Sequence, residues 1–249
     1  MQRYFIDGSL NNDMAAIVGD DCHHISRVMR MGKGSQVICS DQNGKSAVCV
    51  IEEITDEKVM VNVVEWIEAT NELPVRVTIA SGLPKGDKLE LIIQKGTELG
   101  AFEFIPFIAS RSIVKWDEKK ALKKVERWQK IAKEAAEQSH RSILPAVHSP
   151  VKLETLTRLA ESYDFKLIAY EEEAKAGEAS MLFQTLNELK AGDSLFVVFG
   201  PEGGLSDKEI AALTARNFKS CGLGPRILRT ETAPLYTLSA ISYHTELMR

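Results

Sequence analysis

The stretch "FGPEGGLSDKEI", residues 199–210, combines three glycines, a proline and a glutamate between an apolar run and a predicted helix. A loop that cradles phosphate typically carries glycines together with a lysine, and the chain contains neither that motif nor a dinucleotide fingerprint after the first strand of this half. Glu202 would repel a phosphate. Glycines allow close backbone approach, so the loop favours a ligand with hydroxyls, amines or positive charge, such as a nucleoside or sulfonium cofactor.

Strands and helices alternate on both sides of this stretch, from about residue 74 to the C-terminus. Capping boxes are predicted at Asp87–Glu90 and Ser206–Glu209, a helix stop at Gly100, and a long helix over 117–139. Such alternation indicates an α/β fold with a mostly parallel sheet. Three unusual loops end predicted strands, and in such sheets ligands bind outside the carboxyl ends of strands, so we expect a shared cleft. The loops are "AYEEEAKAGE", "FGPEGGL" and "LGPRILRTETA".

The first 70 residues have a different pattern, made of short β-branched runs and turns. Asn43-Gly44 between two apolar runs predicts a hairpin. A short helix is predicted from Asp20 or Asp21. The polar segment "EATNELP", residues 68–74, is the predicted boundary between a small β-barrel domain and the α/β domain.

Composition limits the class of protein further. The chain has 249 residues, 44% of them hydrophobic and 27% charged, with a net charge of −4. It contains no apolar run of the ~18 residues that a membrane span requires, and its opening residues do not resemble a secretory signal. Its four cysteines lack CxxC spacing, and the adjacent His23 and His24 can hardly share a metal, so we expect reduced thiols, a cytoplasmic location and no metal site.

Basic residues are concentrated locally in spite of the acidic total, which makes an RNA partner plausible. Residues 111–141 carry more lysines and arginines than acids. The predicted RNA contacts fall in two groups, one in each half of the chain: Arg3, Arg27, Arg30 and Lys33; and Arg111, Lys115, Arg127, Lys130 and Arg141.

Several long motifs, in order, resemble the RsmE family of ribosomal RNA small-subunit methyltransferases. They are "PKGDKLELIIQKGTELG", "RWQKIAKEAAEQSHR", "FGPEGGLSDKEI" and "LGPRILRTETAPLYTLSAISY", preceded by "QRYFI" and "HISRVMRMGKGSQV". The resemblance implies a PUA-like RNA-binding β-barrel domain over 1–70 and a SPOUT methyltransferase domain with a C-terminal trefoil knot over 74–249. It also implies a homodimer and transfer of methyl from S-adenosylmethionine to N3 of a uridine in the decoding region of 16S rRNA.

The resemblance assigns the cofactor to two segments, whose residues are Phe199, Gly200, Pro201, Glu202, Gly203, Gly204, Leu223, Gly224, Ile227, Leu228, Arg229, Thr232 and Ala233. Arg229 is the predicted stabiliser of charge on the uridine oxygens. Glu231, Glu202 or Glu137 could remove the N3 proton. Two alternatives stay open: a SPOUT methyltransferase that acts on another RNA or atom, and an RNA-binding protein without enzymatic activity.

Overall fold

The computed structural model describes residues 1–10, 14–112, 118–170 and 180–248. They form two compact units, the first made of Met1–Glu72 and Lys133–Leu144, the second of Leu73–Ala132 and the chain from Pro145 onward. The first unit therefore includes residues 133–144, which the sequence-based prediction of a first domain over 1–70 does not include. Within that unit the segment is held by ion pairs between Lys133 and Asp21 and between Arg141 and Glu72.

The first unit contains one five-stranded sheet with the order β1-β3-β4-β5-β2. Its β1 pairs with β3 in parallel, and the other pairs are antiparallel. The predicted short helix begins at Asp20 and continues as a π-helical turn, His24–Val28. The elements are β1 (Arg3–Phe5), β2 (Met14–Val18), α1 (Asp20–His23), β3 (Gln36–Ser40), β4 (Ser46–Ile54) and β5 (Lys58–Ile67).

The predicted hairpin joins β3 to β4 and is confirmed. Ser40 pairs with Ser46 across its end, and Gly44 adopts a φ of 80°, which favours glycine. The Asp41 carboxylate accepts hydrogen bonds from the backbone amides of Asn43 and Lys45, so the turn satisfies its own polar groups.

The second unit is an α/β layer structure around a parallel sheet with the order β12-β10-β11-β6-β7-β8, and β9 also pairs with β7. The predicted fold class is confirmed; the trefoil knot stays a prediction. The strands are β6 (Arg76–Gly82), β7 (Glu103–Ile108), β8 (Ala146–Val147), β9 (Val151–Lys152), β10 (Phe165–Ala169), β11 (Ser194–Phe199) and β12 (Lys219–Cys221). The helices are α2 (Lys88–Glu98), α3 (Glu118–Gln138), α4 (Leu153–Leu159), α5 (Ser180–Glu188), α6 (Asp207–Thr214) and α7 (Thr232–Ser242). The end of α3, from Lys133, belongs to the first unit.

The central strand β11 explains why the first quoted loop lies where it does. All six of its residues are buried, as expected for a parallel strand covered on both faces. Its parallel neighbours β10 and β6 pair Ala169 and Ser81 with its last residue, Phe199, and both strands end at or one residue after that pair. The loops that follow these strands therefore leave the sheet at one edge.

Helix ends agree with the predictions in part. Ser206 and Glu209 form the predicted capping box, and Gly100 follows α2 with a φ of 92°. The capping box predicted at Asp87 and Glu90 is wrong, because the Asp87 side chain makes no capping hydrogen bond. The Glu90 carboxylate is instead held by cations on α3.

Over the described ranges, no helix is both long enough and apolar enough to cross a bilayer.

Candidate cofactor-binding site

A cavity of about 770 Å³ lies at the carboxyl edge of the parallel sheet. Residues 199–204 line it together with much of the segment 223–233 and with Ala169 and Tyr170, which end β10. Two of the three unusual loops are thereby brought together as predicted, while most of the third, from residue 171, lies outside the described residues. The volume is typical of pockets that take a small-molecule cofactor.

Most residues that the resemblance assigned to the cofactor line this cavity. They are Phe199, Gly200, Pro201, Glu202, Gly203, Gly204, Leu223, Gly224, Ile227, Leu228, Arg229 and Ala233. Thr232 is absent from the described lining. The backbone amide of Thr232 bonds to the carbonyl oxygen of Arg229 at 2.8 Å, which forms the turn that begins α7. The roles of all these residues in cofactor binding stay predictions.

The first loop is a tight turn that depends on its glycines. The amide of Gly204 donates to the carbonyl oxygen of Pro201 at 2.8 Å, and Gly204 has a φ of 68°. A Cβ atom on Gly200 would stand 3.0 Å from the backbone of Gly204 and Leu205. The glycines are therefore needed for the loop to fold back on itself, as well as for approach to a ligand.

Two carboxylates, of which only that of Glu202 is in the described cavity lining, share one lysine that the sequence reasoning missed. The ammonium of Lys88 lies 2.9 Å from Oε1 of Glu202 and 3.5 Å from Oε2 of Glu231. Burial by itself raises the pKa of Glu202, but hydrogen bonds from Lys88 and from backbone amides outweigh it and hold the pKa below its ordinary value. The hydrogen bond to Glu202 in turn raises the pKa of Lys88. Lys88 and Glu202 are therefore both charged at neutral pH.

Arg111, a predicted RNA contact, is exposed and lies at the cavity, and its contact with RNA stays a prediction. Its Nη1 donates to the carbonyl oxygen of Gly203 at 3.1 Å, and its side chain lines the cavity wall. The loop that carries it is anchored by the buried carboxylate of Glu209, which accepts hydrogen bonds from the amide and hydroxyl of Ser110. Arg111 thus supports the first glycine loop.

The three candidate carboxylates for proton removal have different surroundings. Glu202 lines the cavity, and Glu231 reaches the same Lys88. Glu137 is not among the described lining residues, and it lies on the part of α3 that belongs to the first unit. Burial raises the pKa of Glu137 to about 7, although Lys133 opposes the shift.

Several of the predicted RNA contacts are exposed cations. Arg27 and Lys33 keep 69% and 76% of their side-chain surface accessible, and Arg30 is exposed beside them in the first unit. Arg127 and Lys130 are exposed on α3, with Arg127 bonded to Glu90. Lys115 lies outside the described residues.

Two of the predicted RNA contacts are corrected by the structure, because their guanidinium groups are buried. Arg3 is 6% exposed and donates to the hydroxyls of Ser40 and Ser46 at 2.6 and 2.9 Å. Arg141 is 2% exposed and donates through Nε and Nη2 to Glu72. A buried cation needs such partners, so both arginines serve the fold of the first unit.

The chemistry of the cavity fits S-adenosylmethionine. Backbone groups of the glycine loop can read an adenine edge, and the Leu223 and Leu228 side chains supply apolar contact. The carboxylate of Glu202 suits a hydroxyl or a positive charge, while Arg229 suits a carboxylate. Within the described ranges, no group of three or more His, Cys, Asp or Glu side chains is placed to hold a metal ion.

Comparison with known proteins identifies the family. A family model for an RNA methyltransferase domain matches residues 71–242, and one for an RNA methyltransferase PUA domain matches residues 17–64. The ribosomal RNA small subunit methyltransferase E of Bacillus subtilis is 54% identical over 253 residues, covering 100% of this chain and 99% of the relative. The chain belongs to the ribosomal RNA small subunit methyltransferase E family. The resemblance predicted from the motifs, including the PUA-like N-terminal domain, is confirmed.

Solved structures extend the match to three dimensions. A methyltransferase E from Neisseria gonorrhoeae, bound to S-adenosylmethionine, has a TM-score of 0.84 at 26% identity, with 97% of each chain covered. A Legionella pneumophila protein in complex with the same cofactor has a TM-score of 0.82 at 30% identity, with 96% of each chain covered. This chain thus shares its fold with both proteins along nearly the whole chain.

Proposed function

We propose that this chain transfers a methyl group from S-adenosylmethionine to N3 of a uridine in the decoding region of 16S rRNA. The observation that carries the proposal is the cavity at the carboxyl edge of the sheet, walled by two glycine-containing segments and by Glu202. Membership in the methyltransferase E family supports small-subunit rRNA as the substrate. The assignment to uridine N3 rests on the resemblance of the motifs.

The chain contributes to this reaction chiefly by alignment. When bound, the cofactor supplies an electrophilic methyl group on a positively charged sulfur. Displacement at that methyl requires the sulfur, the carbon and N3 to lie in line, so a rigid pocket supplies much of the rate enhancement. The tight turn between Pro201 and Gly204 and the bond from Arg111 to Gly203 give the pocket that rigidity.

Uridine N3 must lose its proton before or during attack. We assign this proton transfer to Glu202, which lines the cavity, or to Glu231, which pairs with the same lysine, acting directly or through one water. The Arg229 guanidinium, which lines the same cavity, would stabilise negative charge on the uridine oxygens as it develops. The base must leave its stack to reach the cavity.

RNA would be held by the exposed cations of both units: Arg27, Arg30, Lys33, Arg127 and Lys130. We further propose that the enzyme works as a homodimer in the cytoplasm. Light scattering at working concentration should then give twice the 27.6 kDa chain mass. A monomer that methylates RNA at full rate would contradict the dimer.

The decisive experiment combines the purified chain with labelled S-adenosylmethionine and small ribosomal subunits from a strain that lacks the family E enzyme. We expect label in 16S rRNA, and nuclease digestion with mass spectrometry should identify 3-methyluridine at one position. Free 16S rRNA as a parallel substrate distinguishes naked RNA from the assembled subunit. A different methylated nucleoside would indicate another target, and RNA binding without methyl transfer would indicate a non-enzymatic protein.

A further inference from the structure

Lys88 is the first residue of α2, and its side chain contacts both cofactor segments. Its ammonium forms ion pairs with Glu202 of the first loop, at 2.9 Å, and with Glu231 immediately before α7, at 3.5 Å. The segment before α2 adds a second contact, because the backbone amide of Lys85 donates to the same Glu202 oxygen at 3.1 Å. One helix start therefore joins two segments that are separate in sequence.

The charges at this point are only partly hydrated. The side chains of Lys88, Glu202 and Glu231 keep 33%, 31% and 17% of their surface accessible. Oε2 of Glu231 is buried and makes no hydrogen bond within the described part of the chain, so the Lys88 ammonium is its nearest counter-charge there. The other charged side chains of the cavity lining are Arg111, Asp207, Arg226 and Arg229, and the described residues show no ion pair between them and either glutamate.

We propose that Lys88 is a positioning residue that holds the two cofactor segments together by neutralising two carboxylates which would otherwise repel each other. Both carboxylates contact one ammonium, so their separation is far below the ~10 Å Debye length at 0.1 M salt and their repulsion is poorly screened. Without the lysine, the first loop and the start of α7 separate and the cavity no longer fits the cofactor. The inference rests on the proposed function, since it concerns binding of S-adenosylmethionine.

The test is a double-mutant cycle read by calorimetry of S-adenosylmethionine binding, which does not depend on catalysis. Lys88→Met replaces the lysine by an uncharged side chain of about the same length and should weaken cofactor binding about tenfold. Adding Glu231→Gln to this variant should restore most of the lost affinity. Glu231→Gln alone completes the cycle. Lys95→Met is the matched control, because Lys95 lies on the same helix and pairs with Glu98 at 2.7 Å. It should bind like the wild type.

The pH dependence of S-adenosylmethionine affinity is a second measurement, and simple loss of packing would not change it in the way expected here. In Lys88→Met the two carboxylates repel only while both are ionised, so its affinity should recover as the pH falls from 8 towards 5.5 and one of them takes up a proton. The wild type should lack this recovery. The positioning role is overturned if Lys88→Met binds normally, or if the double variant binds no better than the single one. If the wild type itself fails to bind the cofactor, the proposed function fails instead.

Discussion

Replacement of Gly204 by valine tests how strictly the first glycine loop must keep its backbone shape. Gly204 has a φ of 68°, in the left-handed region, where an L-residue costs roughly 1–2 kcal/mol and a β-branched one more. A Cβ atom there would meet only Nη1 of Arg111, at 3.9 Å, so backbone strain outweighs any clash within the protein. The free loop can relax away from the strain but must return to bind cofactor. We therefore expect affinity for S-adenosylmethionine to fall about 5- to 30-fold.

Calorimetry measures this loss, and Gly192→Val provides the matched control. Gly192 also has a positive φ, of 95°, with no atom within 4 Å of its Cβ position, and it lies in the turn before β11, outside the cavity lining. It should lower stability in the same way while leaving cofactor affinity unchanged. Full affinity of Gly204→Val with a native circular dichroism spectrum, or an equal loss of affinity in both variants, would exclude this role of the Gly204 backbone.

Three further predictions concern the charged residues. The double change Arg27→Glu, Arg30→Glu should flatten the salt dependence of RNA binding by roughly 0.7 in log–log slope per lost phosphate contact, with cofactor affinity intact; filter binding across a salt series that shows no change in slope would contradict it. Glu72→Ala leaves the buried Arg141 guanidinium without its carboxylate and should cost about 3–5 kcal/mol in urea unfolding; a loss below about 1 kcal/mol would contradict it. The Glu103 carboxylate, hydrogen-bonded to His148, raises the pKa of that histidine. The pair therefore stabilises the fold fully below about pH 6.5, and this stabilisation is lost as the pH rises through the raised pKa. His148→Gln should remove this part of the pH dependence of the urea midpoint, and an unaltered pH profile would contradict the prediction.

Features decided by near neighbours in the chain were predictable from the sequence. The hairpin at Asn43-Gly44 and the capping box of Ser206 and Glu209 each depend on contacts across a few residues. The alternation of strands and helices likewise indicated a parallel sheet, and the rule that loops meet at the carboxyl edge located the cavity. The box predicted at Asp87 does not form: the Asp87 side chain makes no capping hydrogen bond, and the Glu90 carboxylate bonds to two cations on α3.

Whether an individual charged side chain is buried, paired or exposed was decided only by the tertiary structure. Arg3, Arg27 and Arg141 carry the same side chain, yet Arg3 and Arg141 are buried with partners and Arg27 is exposed. Lys88 contacts Glu202, which lies 114 positions further along the chain, and Arg111 bonds to Gly203 of the first glycine loop, 92 positions further along. Whether an arginine is available to RNA, supports a loop or stabilises a core depends on the distant groups beside it and on the water that remains. Local sequence does not encode these surroundings, because folding brings them together from remote parts of the chain.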